Sequence, residues 1–419
     1  MHSFRYEGPE LVCEQVPVRA IAEKVGTPFY LYSHETLLNH YRAYDHAFST
    51  IPHVIAFAMK ANSNLAVLRL LAKQGAGADI VSGGELYRAL EAGIDARKIV
   101  FAGVGKTATE IRYALESGIL LFDVESADEL RAIDRVAAGL GRRAPVALRI
   151  NPDVDPKTHP YISTGMKENK FGIAIDQALG EYEIAKTLTH IDIVGVHQHI
   201  GSQLTDVTPY IDALKRLLEL VERLRAAGIP ITYLNIGGGL GITYQDETPP
   251  LPKDLAAAVG PLIKDLKCVL VLEPGRSIVG NAGILVTQVL YLKPGDGKRF
   301  VIVDAGMNDL IRPSLYGAYH QIQPVTRRSG AGMIVADVVG PVCESADFLA
   351  KDRELPDCHS GDLLAVMSAG AYGFVMASNY NARPRVAEVM VQGDRFEVVR
   401  ARESYADLVR GERIPDFLR

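Results

Sequence analysis

The chain is poor in cysteine, in basic runs and in long apolar stretches, and each shortage removes a class of function. Its four cysteines, Cys13, Cys268, Cys343 and Cys358, are scattered without C-x-x-C spacing, so neither a disulfide framework nor a zinc knuckle is indicated. No uninterrupted apolar stretch approaches the roughly 20 residues needed to span a bilayer. The opening residues, Met1-His2-Ser3-Phe4-Arg5-Tyr6, lack an apolar signal core, and a cytoplasmic location is expected. The net charge of −5 contains no basic run to track a phosphate backbone and no polybasic or amphipathic segment for a lipid surface. Nucleic acid and membrane are therefore not expected as partners. No internal repeat or low-complexity tract is visible.

What is present suffices for two cores. The 419 residues exceed the size at which one core usually stops growing, and 48% hydrophobic with 23% charged residues is the balance of a soluble globular protein. Short β-rich apolar runs at 54–59, 78–81, 99–102, 119–124, 146–150, 193–199, 232–236 and 268–272 alternate with helical patterns, which predicts repeated βα units and a parallel sheet. Eight such strands close a TIM-type (β/α)8 barrel. One intervening helix shows its core stripe directly, with Tyr210, Ile211, Leu214, Leu217, Leu218, Val221 and Leu224 recurring at three and four.

After Arg276 the rhythm changes to strands at 286–292, 300–303, 333–339 and 363–367 and a hairpin over 389–398, which predicts a C-terminal antiparallel β domain. The expected division is a barrel over 29–277, with 1–28 and 278–419 in the β domain. The apolar run 11–18 is a candidate extra strand for that domain.

In a barrel of this kind the chemistry sits where strands end. Lys60 ends the first strand, where an apolar surrounding lowers an ammonium's pKa and makes the amine a nucleophile toward an aldehyde; a lysine snorkelling at the barrel mouth is the plain alternative. Asn235-Ile236-Gly237-Gly238-Gly239-Leu240-Gly241 follows the seventh strand. Its glycines let backbone N–H groups approach an anion such as phosphate, or simply form a tight turn. Glu273-Pro274-Gly275-Arg276 ends the eighth strand, offering a carboxylate for a pyridine nitrogen and a guanidinium for phosphate, or a mutual salt bridge. Together these match pyridoxal 5′-phosphate (PLP). His197 and His199 form a His-x-His pair that a metal hydrolase could use, but such barrels carry it on the first strand with an aspartate after the last. No metal is expected; one histidine is better used stacked on a flat ring, the other as a core residue.

Phe57-Ala58-Met59-Lys60-Ala61-Asn62, His199-Ile200-Gly201-Ser202, the triple glycine, Glu273-Pro274-Gly275-Arg276, Gly340-Pro341-Val342-Cys343-Glu344 and Gly370-Ala371-Tyr372-Gly373 together resemble the fold-type III PLP-dependent decarboxylases, and within them the diaminopimelate branch. The resemblance runs in order over most of the chain. It implies Lys60 as the lysine bonded to PLP, His199 stacked on the ring and Glu273 at the pyridine nitrogen. It places Ser202, Gly238, Gly239, Gly275, Arg276 and Tyr372 on the phosphate side, and Asp79 and Arg149 in support of Lys60 and the ring hydroxyl. It also implies Cys343 as proton donor after carbon dioxide leaves, Glu344 as reader of the substrate's far amine, and a head-to-tail homodimer in which both come from the partner subunit. A buried hydrophobe is the other reading of Cys343; the adjacent carboxylate raises a thiol's pKa, which suits an acid.

Selectivity lies at the far end of the side chain. The segment 304–316 offers Arg312 and Tyr316, where ornithine decarboxylases have an aspartate suited to an ammonium. Arginine grips a carboxylate bidentately, and diaminopimelate carries a second one. With Arg276 and Glu344 completing the clamp, the expected reaction is decarboxylation of the D-centre of meso-2,6-diaminopimelate to L-lysine and carbon dioxide, the last step of lysine biosynthesis. Decarboxylation of ornithine or arginine is the nearest alternative, and a non-catalytic PLP carrier is the non-enzymatic one, although a carrier has no need of Cys343 and Tyr372.

Overall fold

The protein is described from a computed structural model, which covers residues 2–154, 170–295 and 298–419. The chain divides into two compact units, one of Leu37–Val279 and one of Met1–Thr36 with Gly280–Arg419.

In the first unit, eight strands are labelled in chain order: β1 (His53–Ala58), β2 (Gly77–Ile80), β3 (Ile99–Phe101), β4 (Leu121–Val124), β5 (Ala144–Asn151), β6 (Ile191–His197), β7 (Tyr233–Asn235) and β8 (Val269–Leu272). Each pairs in parallel with the next, and β8 pairs with β1, so the barrel is closed. Helices begin promptly after strands because Asn64, Ser82, Thr107 and Ser126 each accept an N–H of the first turn that would otherwise be orphaned. The long helix Thr208–Ala226 buries Tyr210, Leu214, Leu217, Val221 and Leu224 as its period predicts.

Register decides what the barrel encloses. Side chains alternate along a strand, so one inward residue and the pairings fix the rest. Ala58 is opposite Asp79, Asp79 opposite Val100, Val100 opposite Leu121, and Asp123, two residues on, opposite Ala147. Arg149 is opposite His197, His197 opposite Asn235, and Asn235 opposite Val271. The enclosed set therefore has an apolar floor of Ala56, Val100, Leu121, Ala147 and Val271, all fully buried. Above it, toward the strand C-termini, lies a layer of Asp79, Asp123, Arg149, His197, Asn235 and Glu273, every one buried.

The second unit is built on a nine-stranded sheet whose main path runs Phe348–Pro356, Met333–Val339, Arg299–Val303, Gly283–Pro294, Phe29–Ser33, Ala387–Gln392, Arg395–Arg400. It is mainly antiparallel, with parallel pairs at Arg299–Val303 with Met333–Val339 and at Ala387–Gln392 with Phe29–Ser33. The two units meet at residue 37, against the expected 29, because both edges of Phe29–Ser33 are taken by strands of this sheet. The run 11–18 does not join the large sheet. It supplies parts of a separate three-stranded sheet, Phe4–Glu7, Glu10–Cys13 and Val16–Pro17, whose apolar face packs into the unit's core through Leu11, Cys13 and Val16. Among the described residues no helix is long and apolar enough to cross a membrane.

Candidate active site

Lys60 lies in a single 3₁₀ turn, Met59–Ala61, directly after β1. Its ammonium donates to Asp79 Oδ2 from a side chain that is 37% exposed, whereas Asp79 is fully buried. Burial pushes the Asp79 carboxyl up to about 7, with the Lys60 charge pulling it back and Glu273 adding to the rise. A carboxylate this basic can share the lysine's proton, so the amine is available at the barrel mouth.

The polar layer settles where negative charge resides. Asn235 Nδ2 donates to Glu273 Oε1 at 2.6 Å and to Asp123 Oδ2 at 3.1 Å, and its Oδ1 accepts the Gly237 N–H at 2.9 Å. His197 lies between the same two carboxylates, with Nδ1 3.4 Å from Asp123 Oδ1 and Nε2 3.6 Å from Glu273 Oε2. Burial, then the charges of Glu273 and Asp79, push Asp123 well above the carboxylate range. Burial would raise Glu273 too, but His197, Lys60 and the Asn235 hydrogen bond outweigh it and hold Glu273 below that range. Glu273 is thus the anion of the pair, as a partner for a protonated ring nitrogen must be. Asp123, His197 and Glu273 are also, among the described residues, the set whose atoms approach one another as metal ligands would, within 4.8 Å.

The two histidines of the His-x-His pair part company. His199 lies past the end of β6, half-buried, and its Nδ1 accepts the Gly238 N–H at 3.2 Å. Burial, with Arg149 and Lys60 nearby, keeps its pKa well below the ordinary value, so the ring is neutral and suited to stacking on a flat partner.

The glycine loop is a cradle that side chains would fill. A Cβ at Gly238 would lie 2.0 Å from the Glu273 carbonyl oxygen, and Gly239, at φ +127°, would place one 2.5 Å from the Gly201 carbonyl oxygen. Tyr210 Oη donates to the Gly238 carbonyl at 2.9 Å from below. Beside the loop, Arg276 donates through Nε and Nη2 to Ser202 Oγ at 3.2 and 3.0 Å, and through Nη1 to Tyr244 Oη at 2.6 Å. Arg149 is held by Glu125, 2.7 Å from Nη1 to Oε1, both buried, with Phe171 under its guanidinium. The glycine cradle, the arginine, the neutral histidine and the anionic Glu273 fit the phosphate, ring face and ring nitrogen of PLP.

The remaining candidates lie in the second unit. Arg312 and Tyr316 open and close one short helix, Arg312–Tyr316, and Arg312 is buried. Cys343 is exposed, not a core hydrophobe, and its N–H donates to Asn381 Oδ1 at 2.7 Å. Glu344 Oε2 accepts from Tyr380 Oη at 3.3 Å. Tyr372 has φ +55°, a left-handed backbone, the strained kind that clusters at functional sites.

Residues 34–280 match the family model described as pyridoxal-dependent decarboxylase, pyridoxal binding domain. The chain is 56% identical over 412 residues to the diaminopimelate decarboxylase of Pseudomonas aeruginosa, covering 98% of this chain and 99% of that protein. The chain belongs to the diaminopimelate decarboxylase family of pyridoxal-dependent decarboxylases. Among solved members of the family, the enzyme of M. jannaschii superposes with a TM-score of 0.94 at 42% identity, over 99% of both chains. The Helicobacter pylori enzyme, complexed with L-lysine, superposes with a TM-score of 0.90 at 46% identity, over 94% of this chain and 98% of that one.

Asp123, Glu125, Asn235 and Tyr244 are absent from the sequence-predicted set: Asp123 is next to last in its strand, Glu125 follows the same strand and Asn235 ends another, while Tyr244 lies in a loop. The signal for Asp123 was present, a lone charge in the apolar run Leu121-Phe122-Asp123-Val124. Tyr244 carried none, because only the path of the loop brings it to Arg276.

Proposed function

We propose that this protein decarboxylates meso-2,6-diaminopimelate to L-lysine and carbon dioxide with PLP. The observation that carries the proposal is the buried polar layer, in which one carboxylate, Glu273, is kept anionic beside a lysine with a basic carboxylate partner. When bound, PLP supplies an aldehyde that holds the amino acid and a protonated ring that accepts the electrons left by carbon dioxide. Lys60 would hold that aldehyde through its amine with loss of water, and Asp79 Oδ2 would take and return the lysine's proton. Glu273 keeps the proton on the ring nitrogen, with Arg149 and Asp79 supporting the hydroxyl side. His199 covers the ring face and excludes water from it. Ser202, Gly238, Gly239, Gly275, Arg276 and Tyr372 hold the phosphate.

At the substrate's far end Arg312 and Tyr316 take the second carboxylate and Glu344 the amine, and Arg276 completes the clamp. Cys343 Sγ delivers the proton that replaces carbon dioxide. Its exposure supports delivery to a site completed by a second copy of the chain, and the proposed unit is a head-to-tail homodimer in which Cys343 and Glu344 serve the partner's barrel. All four cysteines are free thiols, which supports a reducing, cytoplasmic setting.

Carbon dioxide release measured in parallel on meso-diaminopimelate, ornithine and arginine tests the substrate. Release from diaminopimelate is expected, and turnover of ornithine alone would overturn the reading. The purified protein is expected to be yellow. A colourless Lys60→Ala variant that still decarboxylates at the native rate would defeat the assignment of Lys60.

A further inference from the structure

We propose that His320 is a positioning residue for substrate selection: as a neutral Nδ1–H imidazole it fixes the Arg312 guanidinium that reads the substrate's second carboxylate. The inference rests on that role of Arg312 and goes beyond it by naming what aims the arginine.

The donors and acceptors leave one protonation state. Arg312 Nη1 lies 2.8 Å from His320 Nε2. A guanidinium nitrogen only donates, so Nε2 must meet it with a lone pair. On the other side of the ring, Nδ1 lies 2.8 Å from the Met367 carbonyl oxygen. A carbonyl only accepts, so Nδ1 carries the hydrogen. The two contacts demand the same neutral tautomer independently, and a proton on Nε2 would aim one N–H at another.

The ring is also held in place. His320 is fully buried, and its carbonyl accepts from Arg353 Nη1 at 2.6 Å, with the Arg353 guanidinium 4.0 Å over the Tyr319 ring. Met367 is tied to the same stretch, its N–H donating to the Gln321 carbonyl at 2.8 Å, and the pairing continues between Ile322–Pro324 and Leu363–Val366. His320 is thus anchored to a sheet, and Arg312, eight residues earlier in the chain, takes its orientation from it. An imidazole suits this task better than a carboxylate would. It accepts one N–H and adds no negative charge to offset the arginine's own.

Four variants, checked for native melting temperature, separate this inference from the reading beneath it. Arg312→Lys is expected to raise KM for meso-diaminopimelate at least tenfold; an unchanged KM would overturn the role of Arg312 itself. His320→Asn keeps an amide for the Met367 carbonyl and withdraws the acceptor from Arg312. Loss of one hydrogen bond to a charged group is expected to raise KM roughly tenfold, with kcat little changed. His320→Gln, whose carbonyl can stand where Nε2 stands, is expected to restore KM to near the native value. His320→Leu, lacking both contacts, should behave as His320→Asn or worse. If KM rises in Arg312→Lys but not in His320→Asn, or rises equally in His320→Asn and His320→Gln, the positioning role is wrong and the reading of Arg312 stands.

Calorimetry on the His320→Asn holoenzyme should show L-lysine, which keeps a carboxylate, binding roughly tenfold more weakly, and 1,5-diaminopentane, which has none, binding as before. Equal weakening of both would reject carboxylate positioning. Nitrogen-15 spectra of histidine-labelled native protein need no variant to fold: an Nδ1–H tautomer at His320 is expected, and an Nε2–H tautomer or an imidazolium would overturn the proposal.

Discussion

At the scale of single residues, the chemistry turns on which buried group keeps its charge. Glu273 and Asp123 are both sealed in the barrel, both contacted by Asn235 and both adjoining His197, yet their titrations move in opposite directions. The difference is that His197 first, and then Lys60, act to lower Glu273, whereas Glu273 and Asp79 add to the rise of Asp123. Replacing Glu273 by Gln keeps the shape and removes the anion. We expect kcat to fall on the order of 100-fold, the scale of losing one electrostatic contact to the reacting system, while PLP titrated into the apoprotein is retained far better than activity. An unchanged kcat would show that the ring nitrogen needs no anion.

Tyr244 is the corresponding case on the phosphate side. Its hydroxyl accepts one of the arms of Arg276, and Tyr244→Phe is expected to weaken PLP about tenfold, the value of one hydrogen bond to a charged group. Fluorescence titration of the apoprotein checks it, and equal affinity in the two proteins would assign Tyr244 to packing.

At the scale of elements, strand ends and the loops that follow them do the placing. The loop after β7 runs so close to Glu273 and Gly201 that two of its glycines leave no space for a methyl group. Gly238→Ala is expected to expel PLP and lower the melting temperature together, because the added carbon meets backbone and not a flexible side chain. A fully yellow, equally stable variant would mean that the loop shifts freely. Lys60, the triple glycine and Glu273 were legible as motifs because each follows a run of apolar residues whose period declares a strand. The boundary expected at 29 falls at 37 for a different reason: Phe29–Ser33 is a strand that completes the sheet of the other unit, and an apolar run does not say whose sheet it completes.

At the scale of the whole molecule, the β unit carries a pH-dependent contribution of its own. Asp309, buried, accepts from the Gly306 N–H and from Asn308, and burial raises its pKa to about 7. A carboxyl raised on folding stabilises fully below its unfolded value of roughly 4, and that contribution is lost as pH rises through about 7. We expect the melting temperature to fall between about pH 5 and pH 8 and the fall to shrink in Asp309→Asn. Identical pH profiles in the two proteins would show that Asp309 is already ionised across this range.

By itself the sequence determined the eight βα units, the change of rhythm after Arg276, and the residues that stand at strand ends, because period and turn chemistry are local properties of a chain. It also placed Lys60 beside a future site without saying what would face it. Tertiary structure alone decided that Asp79, Asp123, His197, Asn235 and Glu273 share one layer, since that depends on register carried from strand to strand around a closed barrel. It likewise joined Tyr244 to Arg276 and His320 to Arg312 through loop and sheet paths that no period encodes. The separation has one physical cause: spacing along the chain specifies which way a side chain points within its own element, and only the pairing of elements specifies what it meets.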